Sequence, residues 1–104
     1  MNVLIIGGGA SGMAAALTAA RQGHQVVLAE RQARVGRKLL STGNGRCNLT
    51  NTGAGPSNYH GEAPDFVRPA LEAFPSESTL LYFAGLGLLT TAEDSGRVYP
   101  FSNM

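Results

Sequence analysis

The sequence lacks a second cysteine, a long uninterrupted hydrophobic run and a cluster of metal-ligating side chains. Cys47 is the single cysteine among 104 residues, which excludes an internal disulfide and a dithiol redox pair and is typical of a reducing compartment. Residues 2–20 carry no charge, yet four glycines interrupt them and no basic residue precedes them, so they match neither a signal peptide nor a membrane span. Because His24 and His60 are isolated, we expect no metal site. The single cysteine and the absence of a targeting or membrane segment lead us to expect a cytoplasmic protein with no membrane partner.

Negative charge is missing from one long segment. Between residues 31 and 61 the chain has five basic residues and no acidic one, whereas the rest has three basic and seven acidic residues, so that +5 and −4 give the net charge of +1. The segment fits a polyanionic ligand, and a solvated charged loop is the alternative. Since the whole chain is nearly neutral and aromatic residues are not interleaved with the basic ones, we expect no nucleic-acid partner. The five basic residues are Arg31, Arg34, Arg37, Lys38 and Arg46.

Glycine, in contrast, is abundant, with 14 residues, about twice the usual share. The first cluster, GGGASG at residues 7–12, stands between an apolar run at 3–6 and an alanine-rich stretch at 11–22, which Gly23 should end. A second apolar run follows at 25–29. This order predicts two buried parallel strands joined by a helix, the βαβ unit of a dinucleotide-binding domain.

Each glycine of the turn has a role that sterics dictate. Gly7 permits the tight turn, Gly9 lets the backbone approach a pyrophosphate, and Gly12 lets the helix pack on the strand. The amides of Ala10, Ser11 and Gly12 are unpaired helix donors that can bind phosphate oxygens.

An acidic residue ends the second apolar run. Glu30 lies 23 residues after Gly7, at the position where a carboxylate accepts hydrogen bonds from a ribose diol and repels the 2′-phosphate of NADP. The motif therefore predicts an ADP-containing cofactor, with FAD and NAD both open at this point.

The rest of the chain predicts further elements around a long loop. Residues 31–61 lack periodicity, and a loop of this length in a compact domain is usually functional or disordered. We expect one helix over 64–74 that Pro69 shortens, and a second helix that Ser76 caps and Gly87 ends, with Leu81 among its buried residues. Residues 88–101 read as a β-hairpin with its turn at 93–96. The predicted fold is α/β: a partial Rossmann-like FAD/NAD(P)-binding domain with a long basic loop, two helices and a C-terminal β-hairpin.

The chain resembles the N-terminus of a known family in several segments. They are the glycine turn GGGASG, the Glu30–Arg31 pair, the block GRKLLSTGNGRCNLTN at residues 36–51, and GRVYPFSN at 96–103. These segments resemble the BaiN/RdsA (aminoacetone oxidase-like) family of NAD(P)/FAD-dependent oxidoreductases, and the similarity covers nearly all of the chain.

The resemblance implies that FAD is the cofactor. It places Gly9, Ser11 and Gly12 on the pyrophosphate and Glu30 on the adenosine ribose. The remaining cofactor-binding positions, by the same resemblance and by the charge of the loop, are Arg31, Arg37, Lys38, Thr42, Gly43 and Asn44. The implied chemistry is hydride transfer from a reduced nicotinamide to the flavin and then to an unsaturated or oxidised organic substrate.

Members of the family are much longer than this chain. We therefore expect residues 1–104 to be the N-terminal part of an FAD/NAD(P)-binding domain, with the substrate domain absent and the isolated piece inactive. No catalytic residue is identified. His60, Arg97 and Tyr99 are weak candidates for the cofactor face, and Cys47 is expected to be structural, because a dithiol flavoenzyme needs a second cysteine. The alternative is a catalytically inactive dinucleotide-binding fragment that self-associates through an exposed sheet edge. An NAD-only dehydrogenase is disfavoured. In such a domain the chain would continue from the acidic residue directly into another helix and strand, whereas here a long glycine-rich loop follows Glu30.

Overall fold

The computed structural model describes residues 1–102 and divides the chain into two compact units, Met1–Gly45 and Arg46–Met104. Asn103, the last residue of the GRVYPFSN segment, lies outside the described residues. The architecture is α/β, as predicted. Within residues 1–102, no helix combines the length and the apolarity that crossing a bilayer requires.

The first unit is the predicted βαβ arrangement. Strand β1 (Asn2–Ile6) pairs in parallel with β2 (Gln25–Ala29), and helix α1 (Ala10–Arg21) connects them. The helix ends as the sequence predicts. Gly23 adopts φ +86°, its N–H donates to the Ala20 carbonyl, and the His24 N–H donates to the Ala19 carbonyl, which is the Schellman arrangement.

Only one face of this two-stranded sheet is covered. Val3 and Ile5 are half-buried, whereas Leu4, Ile6 and Val27 on the opposite face are 64%, 78% and 63% exposed. The expectation of a buried strand over residues 3–6 was therefore wrong for Leu4 and Ile6. Side chains alternate between the faces of a strand, and α1 packs on one face only.

The second unit contains a three-stranded antiparallel sheet. Strands β4 (Thr90–Ala92) and β5 (Arg97–Pro100) form the predicted hairpin. A third strand, β3 (Thr50–Asn51), pairs with the other edge of β5, so the order is β3-β5-β4. The sequence alone does not predict β3, because two residues cannot display a strand periodicity. Val98 and Tyr99 on the central strand are 1% and 5% exposed and form the buried core.

Two short helices precede the hairpin, and their starts differ from the prediction. The segment 64–74 divides into a 3-10 helix, Pro64–Val67, and helix α2 (Arg68–Ala73), with Pro69 in the first turn of α2 where its missing N–H is tolerated. Helix α3 spans Ser76–Gly85.

Ser76 does not cap α3. The capping residue is Pro75, and the Ser76 hydroxyl instead accepts a hydrogen bond from the Thr50 hydroxyl at 3.1 Å. Leu81, predicted to be buried, is 68% exposed. Thr50 belongs to β3, which is packed against α3 and was not predicted.

Candidate functional site

The glycine turn after β1 is as tight as glycine allows. Gly7 has φ +100°, and its N–H donates to the Ala29 carbonyl at 2.7 Å, which joins the turn to the end of β2. A side chain on Gly12 would collide with the Gly7 carbonyl oxygen. The first turn of α1 therefore lies directly against the backbone that leaves β1, which agrees with the packing role predicted for Gly12.

Gly9 faces open space. Its backbone, φ −81° and ψ −167°, suits any residue, and a Cβ placed on it would meet no protein atom within 4 Å. Among the described residues nothing blocks this side of the turn, so a ligand has room to approach the backbone from outside. This is the fit that a pyrophosphate needs.

The amino end of α1 presents unpaired donors beside that space. The first intrahelical bond runs from the Met13 N–H to the Gly9 carbonyl at 2.9 Å. Among the described residues, no group accepts from the N–H groups of Ala10, Ser11 or Gly12, and no acidic side chain lies in the first turn. Three donors and the positive end of the helix dipole thus lie together at one point, as an anion site requires.

Glu30 has a structural role that the sequence reading missed. Its Oε1 accepts from the Gly8 N–H at 2.8 Å, and its Oε2 accepts from the Gln32 N–H at 2.6 Å. The hydrogen bond from Gln32, then that from Gly8, and the charge of Arg31 hold the pKa of Glu30 below its ordinary value of 4.5. An ionised carboxylate accepts about four hydrogen bonds, so the two oxygens retain capacity for the predicted ribose diol.

Protonation of Glu30 should loosen the glycine turn. A depressed pKa means that the ionised carboxylate stabilises the folded chain above its unfolded value, and that this contribution is lost as the pH falls through the folded value. We expect the difference in free energy of unfolding between the wild type and Glu30→Gln to be largest at neutral pH and to shrink as the pH falls below 4.5. Urea titrations at a series of pH values measure this difference.

The exposed Glu62→Gln variant serves as the matched control for that experiment, since Glu62 lies in the second unit and outside the turn. Glu62→Gln removes one carboxylate elsewhere in the chain and so controls for the change in net charge. Parallel curves for Glu30→Gln and Glu62→Gln would refute the role assigned to Glu30.

The start of the basic segment is attached to the glycine turn. The Gly36 N–H donates to the Gly8 carbonyl at 2.7 Å, and a Cβ on Gly8 would lie 2.7 Å from Val35 Cγ1. Gly36 is left-handed, with φ +69°, and precedes a 3-10 helix, Arg37–Leu40. Arg37 and Lys38 follow Gly36 directly, so this hydrogen bond holds the start of their 3-10 helix at the glycine turn.

Arg37 and Lys38 line one cavity of about 420 Å³ together with Gln32 and Ser41. Arg37 Nη1 donates to Gln32 Oε1 at 2.9 Å, so Gln32 bridges the Glu30 carboxylate and the Arg37 guanidinium. No carboxylate among the described residues forms an ion pair with Arg37 or Lys38. The cavity therefore carries an uncompensated positive charge.

Thr42, Gly43 and Asn44 lie in a second 3-10 helix, Thr42–Gly45, with unusual backbone angles. Gly43 and Asn44 are left-handed, at φ 58° and φ 56°. The Thr42 hydroxyl donates to the Leu39 carbonyl at 3.0 Å. A non-glycine residue in this region is uncommon, and such residues cluster at binding sites.

Arg46, counted with the basic segment, interacts with residues of the second unit. Its guanidinium forms an ion pair with Glu93 at 2.9 Å and lies 3.8 Å from the centre of the Tyr99 ring. Tyr99, a weak candidate for the cofactor face, is a core residue of the second unit. Within residues 1–102, no three histidine, cysteine, aspartate or glutamate side chains converge as a metal site would require.

Comparisons with known proteins agree with the α/β fold. The family model of the HI0933-like protein Rossmann domain matches residues 1–104. The chain is 50% identical to the 3-dehydro-bile acid delta(4,6)-reductase of Clostridium scindens over 95% of its own length and 24% of the relative's. It is 31% identical to the ribosomal RNA dihydrouridine synthase of Haemophilus influenzae over 92% of its own length and 24% of the relative's.

A third similarity is shorter. The chain is 51% identical to the NADH oxidase of Thermoanaerobacter brockii over 36% of its own length and 6% of the relative's. The chain spans about a quarter of the length of the first two relatives. The sequence resemblance is confirmed at the level of the family, and this dinucleotide-binding α/β chain belongs to the HI0933-like Rossmann domain family.

Proposed function

We propose that residues 1–104 form the FAD-binding part of a flavin-dependent oxidoreductase whose substrate domain lies in other segments. The observation that carries the proposal is the open space at Gly9 in front of the unpaired amides of α1. That arrangement suits a pyrophosphate bridged between two nucleosides. The reductase and oxidase relatives support the redox class.

The site residues have distinct tasks under this proposal. The amides of Ala10, Ser11 and Gly12 bind the pyrophosphate, and Gly7 and Gly9 keep the approach clear. Glu30 accepts hydrogen bonds from the hydroxyls of the adenosine ribose, and it also accepts the hydrogen bond from the Gly8 N–H that holds the turn. Arg31, Arg37 and Lys38 balance the charge of the phosphates, and Thr42, Gly43 and Asn44 offer hydrogen bonds along the cofactor.

Bound FAD would supply the two-electron chemistry, which belongs to the cofactor and not to the protein. The residues described here bind and orient it, and none is assigned a proton transfer. By its family, the whole protein would take electrons from a reduced nicotinamide and deliver them to an unsaturated organic substrate. The names of the bile acid reductase and the dihydrouridine synthase support that substrate class.

A titration tests the nucleotide preference of the site. We expect the chain to bind ADP-ribose at least about tenfold more tightly than 2′-phospho-ADP-ribose, because the Glu30 carboxylate repels the extra phosphate and loses the hydrogen bond from the 2′-hydroxyl. Isothermal calorimetry measures both affinities. The preference should shrink in Glu30→Gln and persist in Glu62→Gln. Equal affinities in the wild-type chain would overturn the role of Glu30 toward the ribose.

The second candidate is a dinucleotide-binding piece that self-associates without turnover. The exposed apolar side chains of Leu4, Ile6 and Val27 favour it, since parallel sheets are normally covered on both faces. This reading predicts concentration-dependent sedimentation and no oxidation of NADH when FAD is supplied.

A further inference from the structure

The pair Asn44–Gly45 has a reactivity that binding of a cofactor does not explain. Both residues are exposed, and Gly45 is the only glycine of the chain that directly follows an asparagine. The backbone nitrogen after an asparagine can attack the side-chain carboxamide carbon and close a cyclic imide. Glycine presents the least hindered nitrogen for this attack, because it has no side chain. The pair therefore has the composition of a deamidation site.

The carboxamide of Asn44 is not held by the protein. Among residues 1–102, no group donates to its oxygen or accepts from its nitrogen. Three asparagines of the second unit behave differently, since each is hydrogen-bonded to a backbone group at 2.8–3.0 Å; they are Asn48, Asn51 and Asn58. The Asn44 side chain is accordingly free to rotate toward the backbone that follows it.

The backbone must also turn before the ring can close. Asn44 has ψ 41°, at which its carbonyl oxygen is nearly eclipsed with Cβ and the Gly45 nitrogen lies on the opposite side of the Cα–C bond. A flip of this peptide plane exchanges the two atoms and carries φ of Gly45 from +83° to a negative value. Glycine adopts φ of either sign about equally readily, so the residue that follows Asn44 allows the flip.

The other backbone angle of Asn44 already suits the flipped state. Its φ of 56° is left-handed, which is uncommon for a residue with a side chain. A positive φ followed by the flipped peptide plane is the conformation of the first central residue in a type II′ turn. The flip therefore leads from one recognised turn conformation to another and leaves φ of Asn44 where it is.

We propose that Asn44 is a self-modification site, at which the chain converts a carboxamide to a carboxylate without an enzyme. Hydroxide removes the proton of the Gly45 N–H, the nitrogen forms a bond to Asn44 Cγ, and the bond from Cγ to Nδ2 breaks. Ammonia leaves, and a cyclic imide remains. Water then opens the ring at Cγ to give aspartate, or at the backbone carbonyl carbon to give isoaspartate. Nothing is oxidised or reduced.

The product changes the charge of the basic segment. Residues 31–61 contain five basic residues and no acidic one, so the new carboxylate is the first in the segment, and +5 with one added negative charge becomes +4. A less positive segment attracts a polyanion less strongly. Asn44 thus limits how long the segment keeps its full charge. Any effect on FAD rests on the function proposed above, whereas the modification itself does not.

Peptide mass spectrometry of the wild-type chain tests the proposal. Trypsin cuts after basic residues and releases residues 1–21 and 39–46 as peptides with one side-chain amide each, Asn2 and Asn44. Both asparagines are exposed, but Val3 follows Asn2. During incubation of the folded chain at mildly alkaline pH, we expect Asn44 to convert at least about tenfold faster than Asn2, with aspartate and isoaspartate both formed. Digestion in heavy-oxygen water marks any conversion that occurs during handling.

A variant pair tests the attacking nitrogen. Gly45→Ala places a methyl group beside it, and the nearest atom to a Cβ there is the Leu40 carbonyl oxygen at 3.9 Å. Gly43→Ala adds the same group at another left-handed position, φ 58°, and leaves the nitrogen unhindered. Conversion of Asn44 should slow at least about tenfold in Gly45→Ala and continue in Gly43→Ala.

Equal conversion of Asn44 and Asn2 in the wild-type chain, or formation of aspartate without isoaspartate, would overturn the proposal. That comparison within one chain does not depend on whether either variant folds. Because no cofactor enters these measurements, they are independent of the FAD titration, and the failure of one proposal is distinguishable from the failure of the other.

Discussion

Gly9→Val is expected to weaken FAD binding by at least about a hundredfold while the chain stays folded. The valine side chain would occupy the open space in front of the amides of Ala10 and Ser11, where the pyrophosphate must approach. Loss of two hydrogen bonds to a charged group, at about 1.5–3 kcal/mol each, gives an effect of this size. Quenching of flavin fluorescence during titration with the protein measures the affinity.

The folded state should tolerate that substitution. The backbone at Gly9 is extended, and a Cβ there meets no protein atom. Because glycine is a better helix cap than an aliphatic residue, a loss of about 1 kcal/mol in the free energy of unfolding is the most we expect. Undiminished FAD binding by a folded Gly9→Val variant would contradict the placement of the pyrophosphate.

Gly12→Val should mainly lower the free energy of unfolding, whereas Gly9→Val should mainly weaken FAD binding. A Cβ on Gly12 collides with the Gly7 carbonyl oxygen and lies 3.6 Å from Ile5 Cγ2. Backbone cannot yield as a flexible side chain can, so we expect a loss of at least about 2 kcal/mol in the free energy of unfolding, toward the upper part of the range for overpacking. Urea denaturation followed by the NMR signals of α1 measures this loss.

Gly9→Val is the matched control for Gly12→Val, since the same side chain is added three positions away in the same turn. The pair separates an effect on the ligand from an effect on the protein. Equal stabilities of the two variants would mean that α1 does not pack against the turn as described.

The βαβ unit could be predicted because each of its signals is local. The apolar runs, the glycines at 7, 9 and 12, and the stop at Gly23 all act within a few residues of one another. The hairpin of β4 and β5 was equally local, with Gly96 in its turn at φ +89°. Strand β3 was not predictable, because Thr50 and Asn51 become a strand only by pairing with Val98 and Arg97.

In the candidate site, too, the features set by local sequence could be predicted and those set by contacts between distant residues could not. The glycine positions and the acidic residue at the end of β2 follow from a known spacing. The bond from the Gly8 N–H to Glu30 and the bridge through Gln32 depend on how the turn and β2 meet in space. Arg46 could not be separated from the other basic residues by sequence, because its partner Glu93 lies 47 residues away.

The flavin content of the chain after loading with FAD and desalting tests whether the glycine turn binds the cofactor. The absorption spectrum gives the ratio of flavin to protein. We expect the wild-type chain to retain the visible flavin band and Gly9→Val to lose it. A colourless wild-type chain, with the amide signals of residues 7–12 unmoved by excess FAD, would contradict the claim that this glycine turn binds the cofactor.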